Sequence, residues 1–323
     1  MLLPMPPPLP ACAIAAPAIA RADMLPGTHT LGSDASFWEL HEELQPLGKG
    51  YFGRVHLTMV KATGALAAVK IVDKASGRST DMDYRNEPQL LHSLRHPNIV
   101  DLLATYQSPC SLFIVMRPEL GGDLLTRAST LPGGLFPEEE ARRHMVGLLQ
   151  AVEHIHAHGV VHRDIKPSNV LLSPDGEVRL ADFGLSEVLP PSGVLTTVCG
   201  THDFLAPEMI RCGHGELEGY GLEVDMWGVG LLLFVLLHGH NPFERGTEIE
   251  TLQAILLAHY QIPESVDVSS AAKDLICRLL VCDPAKRCKA LEALGHQWLT
   301  RRGVSAASFC DYSLALRRPC AMA

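Results

Sequence analysis

Basic charge is scarce in this chain: 27 Lys and Arg against 36 Asp and Glu leave a formal net charge of −9. Proteins that bind nucleic-acid phosphates cluster Lys and Arg on one face, so no nucleic-acid partner is expected. The nine cysteines (Cys12, Cys110, Cys199, Cys212, Cys277, Cys282, Cys288, Cys310, Cys320) contain no CxxC pair. That argues against a zinc site or a disulfide framework and for reduced thiols in the cytosol or nucleus. Long hydrophobic runs are also missing. The longest, Met226 to Leu237, is too short to span a bilayer, so a buried helix is expected there and no membrane partner. There are no internal repeats and no DxDxDG calcium loop.

The N-terminus lacks charge. Residues 1–27 are rich in Ala, Pro and Leu, with no base before Arg21 and no acid before Asp23. A signal peptide needs an early positive charge, and the prolines would break an apolar helix. A disordered tail over residues 1–36 is expected; a plastid-type transit peptide is the alternative, and Met24 is a second candidate start. Pro6-Pro7-Pro8 would suit an SH3-like partner, but a solvated tail is the simpler reading.

What is present is a graded pattern. An ordered domain over 37–300 should begin near Phe37-Trp38-Glu39-Leu40, where aromatic and aliphatic residues first alternate with polar ones. Three strands are expected over 44–72 and two more over Ile99–Tyr106 and Leu112–Met116. Between them lies a helix with Leu90, Leu91 and Leu94. Pro137-Glu138-Glu139-Glu140 reads as a helix start, with Pro early and acids in the first turn. Met145, Leu148, Leu149, Val152 and Ile155 then recur at helical spacing. Further helices are expected over 225–239, 247–259, 269–281 and 290–300. A small β-rich part (about 37–117) followed by a large helical part (about 118–300) makes an α+β, bilobed fold.

The chemistry concentrates in His162-Arg163-Asp164-Ile165-Lys166-Pro167-Ser168-Asn169 and Asp182-Phe183-Gly184. This order of an HRD triplet, a downstream Asn and a DFG triplet is very specific. Leu47-Gly48-Lys49-Gly50-Tyr51-Phe52-Gly53-Arg54-Val55 contains GxGxxGxV. Alone it is weak and would also fit a dinucleotide-binding fold, which requires a strand–turn–helix context. Here the glycines sit between two strands, and Ala68-Val69-Lys70 follows. On its own Lys70 would read as a solvated strand-end lysine.

These motifs together resemble the eukaryotic protein kinase family, serine/threonine type, over about residues 40–300. The activation segment, ending Cys199-Gly200-Thr201-His202-Asp203-Phe204-Leu205-Ala206-Pro207-Glu208, is similar to the calcium/calmodulin-dependent group. The resemblance implies ATP and Mg2+ as cofactors and Ser/Thr-bearing proteins as substrates. Asp164 would be the base, Lys166 would stabilise the moving phosphoryl group, and Asn169 and Asp182 would hold magnesium. Lys70, oriented by Glu87, would contact the α- and β-phosphates. Gly48, Lys49, Gly50, Tyr51, Phe52 and Gly53 would cover the phosphates. Val55, Ala68 and Leu171 would sandwich adenine behind the gatekeeper Met116, with Arg117 and Glu119 offering backbone groups and Asp123 facing the ribose. Thr201 would bond toward Asp164 and Lys166. Glu208 should pair with Arg287, and Asp225 should cap the catalytic loop. A monomer is expected. Calmodulin would want a denser basic and apolar helix than residues 301–323 provide.

Three departures matter. Thr197 sits at the family's activation-loop phosphosite, yet no Lys or Arg lies between Asp182 and Thr201, and the helix position that often adds a cation is Asp83. A phosphate on Thr197 should therefore contribute little, with other contacts holding the loop. Pro88 directly follows Glu87, so the helix should be kinked or start late, near Asn86. If that displaced Glu87 from Lys70, the chain would be a weakly active or scaffold-like relative. Of three positions that often select basic substrates, Asp123, Ser168 and Val235, one is acidic, while Val198 and Leu205 suggest an apolar residue after the phosphosite.

Overall fold

The computed structural model describes residues 28–49, 53–74, 85–263 and 267–300. In chain order its elements are β1 (Thr28–Thr30), α1 (Asp34–Leu40), β2 (His41–Lys49), β3 (Gly53–Val60), β4 (Leu66–Asp73), α2 (Asn86–Ser93), β5 (Leu102–Gln107) and β6 (Ser111–Met116). Then come α3 (Leu124–Ser129), α4 (Glu138–Ala157), β7 (Val160–Val161), β8 (Val170–Leu172), β9 (Val178–Leu180) and β10 (Glu187–Val188). The chain continues with α5 (Pro207–Gly213), α6 (Glu223–His238), α7 (Glu248–Leu256), α8 (Ser270–Leu279), α9 (Ala290–Leu294) and α10 (Gln297–Thr300).

The N-terminal lobe is a sheet in the order β1-β5-β6-β4-β3-β2. β1 runs parallel to β5, and the remaining neighbours are antiparallel. Every residue of β6 is buried, because the sheet is covered on both faces. Side chains alternate across a strand. Leu112, Ile114 and Met116 therefore join Leu90 and Leu91 of α2, and Leu94 just after it, in the main core. Phe113 and Val115 join Phe37 in a second core, where the Phe37 and Phe113 rings stack with centroids 4.0 Å apart. The short helix α1 places Phe37 on this outer sheet face. Structure also begins before position 37. β1 pairs with β5 from Thr28, and the Asp34 carboxylate accepts from the hydroxyl of Ser111 at 2.8 Å and from that of Ser108.

The strand expected over Ile99–Tyr106 is shifted. β5 starts at Leu102, since Ile99 is drawn into a bridge with Leu180. In the helical lobe α6 is apolar on all sides and buried, as its sequence suggests, with α4 and α8 packed around it. The expected helix over 290–300 is two, interrupted at Gly295 and His296, and the one over 247–259 ends at Leu256. α5, opened by Pro207, was not anticipated. Among the described residues no helix is long and apolar enough to cross a membrane.

Candidate active site

The cleft between the lobes is built from short strands and turns. Register does much of the positioning. β3 and β4 pair Val55 with Lys70, and β4 and β6 pair Ala68 with Met116. The β8–β9 hairpin sets Val170 opposite Leu180, and Ala181 N–H donates to Asn169 C=O at 2.9 Å. That hairpin brings the end of the catalytic loop beside Asp182.

Lys70 is buried, and its ammonium donates to Glu87 Oε2 at 2.7 Å, Glu87 Oε1 at 2.9 Å and Asp182 Oδ1 at 2.6 Å. Burial works against the charge on Lys70, but the Glu87 and Asp182 carboxylates outweigh it and hold its pKa above the ordinary value. For Asp182, burial likewise opposes ionisation, and Lys70 leads the groups that hold its carboxyl below the usual range. Asp182 adopts a left-handed backbone (φ 62°), which turns Phe183 into the core beneath α2, 0% exposed.

α2 begins at Asn86, so Pro88 is its third residue. The first N–H groups of a helix have no intrahelical acceptor, so proline removes no hydrogen bond there. The late start agrees with the sequence expectation, and Glu87 stays on Lys70. Pro88→Ala is accordingly expected to leave kcat/KM for ATP within about threefold of wild type. A tenfold change would show that proline itself sets the position of Glu87.

Asp164 is held from four directions. It accepts from Lys166 Nζ at 2.7 Å, Asn169 Nδ2 at 2.8 Å, Thr201 N–H at 3.0 Å and Thr201 Oγ1 at 2.6 Å. Lys166 also donates to Thr201 Oγ1. The loop's backbone is fastened from α6: the buried Asp225 accepts from His162 N–H at 2.9 Å and Arg163 N–H at 2.8 Å, and meets His156 Nε2 at 2.9 Å. Burial opposes charge on Asp225, yet these donors, His156 foremost, keep its carboxyl below the usual range. Glu208 and Arg287 form the expected buried fork, 2.6 and 2.9 Å.

Two glycines are demanded by this packing. A Cβ on Gly53 would run into Ile71 O, and one on Gly200 (φ +109°) would meet Arg163 O at 2.6 Å. Both are close backbone approaches that a side chain would block.

Of the residues expected to enclose adenine, Val55 and Leu171 are half-buried and Ala68 and Met116 buried. The Arg117 N–H donates to Asp101 C=O at 2.9 Å, so its carbonyl is what it has to offer a ring. The Glu119 side chain turns toward Arg179, 3.8 Å away. Asp123 caps α3 through Thr126 N–H at 2.8 Å and Thr126 Oγ1 at 3.0 Å. Gly48 pairs with Val55 in the β2–β3 ladder, and Lys49 with Arg54. Gly50, Tyr51, Phe52 and Asp83 lie outside the described residues.

With this geometry in hand, the comparison with known sequences decides the family. Residues 41–299 match the protein kinase domain. The chain belongs to the protein kinase family. The kinase is 36% identical to myosin light chain kinase A of Dictyostelium discoideum over 81% of this chain and 88% of that one. It is 38% identical to the human liver/testis phosphorylase b kinase gamma catalytic chain, over 82% and 68%. Its identity to calcium/calmodulin-dependent protein kinase type 1 of Caenorhabditis elegans is 34%, over 83% and 76%.

Two residues that matter to the kinase's activation segment escaped the sequence reading. Tyr220 exchanges two backbone bonds of 2.9 Å with Leu195, and its hydroxyl donates to Thr197 C=O. Glu187 pairs with Arg163. The sequence showed an acid in a segment without cations, but its pairing with Arg163 depends on the register of β10 against β7. The Thr196 and Thr197 side chains are exposed, and among the described residues no hydrogen bond holding the segment runs through their hydroxyls. Thr197→Ala is expected to retain kcat within about tenfold of wild type, since no hydrogen bond of the active arrangement is lost. A hundredfold loss would contradict this.

Proposed function

We propose that this kinase transfers the γ-phosphate of ATP to Ser and Thr hydroxyls of protein substrates. The observation that carries the proposal is the fully assembled cleft: Lys70, Glu87, Asp164, Lys166, Asn169, Asp182 and Thr201 are present and bonded to one another as the chemistry requires. The scaffold alternative rests on displacement of Glu87 by Pro88, and Glu87 lies 2.7 Å from Lys70.

The donor set suits magnesium. Asn169 spends its Nδ2 on Asp164, which leaves Oδ1 as the atom it can offer, and Asp182 adds a carboxylate. Among the described residues no group of three or more His, Cys, Asp or Glu forms a metal cage. Magnesium typically takes one or two protein oxygens and completes its shell with water and phosphate. When bound, the metal would neutralise charge on the transferring phosphates.

A carboxylate offers about four lone-pair sites, and Asp164 already accepts four bonds. A substrate hydroxyl must therefore displace one donor. Lys166, on a flexible stem, is the one able to leave, and its departure carries its ammonium toward the transferred group. Asp164 then orients the hydroxyl and takes its proton late in transfer. Thr201 remains as the second tether on Asp164.

The relatives named as myosin light chain and calcium/calmodulin-dependent kinases support protein substrates and a calmodulin partner. The Asp123 carboxylate, tied to the α3 cap, and the half-buried Val235 support weak selection for basic residues. The acceptor class is tested by phospho-amino-acid analysis of a radiolabelled Ser, Thr and Tyr peptide array. Label on Ser and Thr, lost when EDTA is added, is expected; label on Tyr alone would overturn the reading.

A further inference from the structure

Arg163 is a buried cation beside the catalytic base. Its side chain is 1% exposed, and a buried guanidinium is tolerated when its donors and its charge are both met. Nε donates to Leu185 C=O at 2.6 Å and Nη1 to the Tyr220 hydroxyl at 3.3 Å. The charge is met by Glu187, whose Oε2 lies 2.9 Å from Nη2. Glu187 belongs to β10, which pairs with β7 so that Glu187 sits opposite Val161, one residue before the HRD triplet. The acid is thus delivered by a strand, in register with the loop it supports.

We propose that Glu187 is the permanent anion that holds Arg163, and through it the catalytic loop, in the active arrangement, in place of a phosphate on the activation segment. This rests on the kinase activity proposed above. Glu187 is a positioning residue: it reaches Asp164 only through Arg163, the preceding residue, whose carbonyl lies against Gly200 in the approach to Thr201. The rest of the segment is fastened without modification. Leu195 pairs with Tyr220, the Tyr220 hydroxyl bridges Arg163 and the Thr197 carbonyl, and Thr201 binds Asp164.

A second consequence has the opposite sign from ordinary loop activation. No Lys or Arg lies between Asp182 and Thr201. A negative charge at Thr197 would compete with Glu187 for one arginine and repel it, with no further cation in the segment to receive it. Negative charge at Thr197 should lower activity when Glu187 is present and raise it when Glu187 is gone.

The test compares phosphatase-treated full-length wild type, Glu187→Gln, Glu187→Asp, Thr197→Glu and the Glu187→Gln/Thr197→Glu double variant, by kcat, KM for ATP and thermal melting. Expected for Glu187→Gln is a kcat loss of at least about tenfold with KM for ATP within about threefold, as for removal of one charge-assisted bond remote from the nucleotide. Glu187→Asp should stay within about threefold of wild type, Thr197→Glu should not exceed wild type, and the double variant should exceed Glu187→Gln. Glu187→Gln within twofold of wild type, or a tenfold gain from Thr197→Glu alone, would overturn the proposal. A wild type that transfers no phosphate would instead overturn the activity itself.

Discussion

Asp164→Asn is expected to lower kcat by about 10³-fold, within the range for loss of a positioned general base, while KM for ATP stays within about threefold. The split follows from where Asp164 sits. Its four bonds run to Lys166, Asn169 and Thr201, while Lys70, the lysine proposed to contact the nucleotide's phosphates, bonds Glu87 and Asp182. Asparagine matches the shape and can still accept from Thr201, but it cannot take a proton. Steady-state kinetics with varied ATP and varied peptide check this. Residual kcat above about a tenth of wild type would mean that Asp164 acts as a tether and not as a base.

Arg287→Leu is expected to destabilise the protein by about 3–5 kcal/mol, the usual cost of leaving one member of a buried ion pair alone, and to lower Tm by roughly 10 °C for a domain of this size. Arg287 uses all five of its N–H groups: two on Glu208, one on Glu223 C=O and two on Val281 C=O. Its guanidinium also lies over the Trp227 ring, 5.3 Å from the centroid. Lysine has three donors on a point and cannot reproduce this fork, so Arg287→Lys should recover only part of the loss. Removing Glu208 as well, in a Glu208→Gln/Arg287→Met pair, should recover more, because no unpaired charge then remains buried. Calorimetry of the four proteins checks the order. Equal Tm for Arg287→Leu and wild type would show that solvent reaches the pair.

Much of the site could be read from residue types at fixed spacing, because the chemistry dictates both. The HRD loop, Lys70, Glu87, Asp182, Thr201 and the Glu208–Arg287 pair are each where their motif put them. The late start of α2 was also legible, since a proline tolerates only the first turn of a helix. What could not be read is what depends on register across distant segments. β1 is three residues long, too short to show a period, and forms only because β5 has an open edge. Phe37 and Trp38 look like strand residues until the outer sheet face, set by Phe113, offers them a cover. Glu187 meets Arg163 because β10 aligns with β7, and Tyr220 meets Thr197 across a bridge set by Leu195. The sequence could show that the segment from Asp182 to Thr201 has no Lys or Arg; it could not show which acid would pair with Arg163.

This cleft is assembled without prior modification and is expected to catalyse transfer in that state. The direct measurement is transfer of labelled γ-phosphate from ATP to a Ser/Thr peptide library by phosphatase-treated full-length protein, beside Asp182→Asn. Transfer by wild type and none above background by Asp182→Asn is the predicted result. Background counts from both would contradict it.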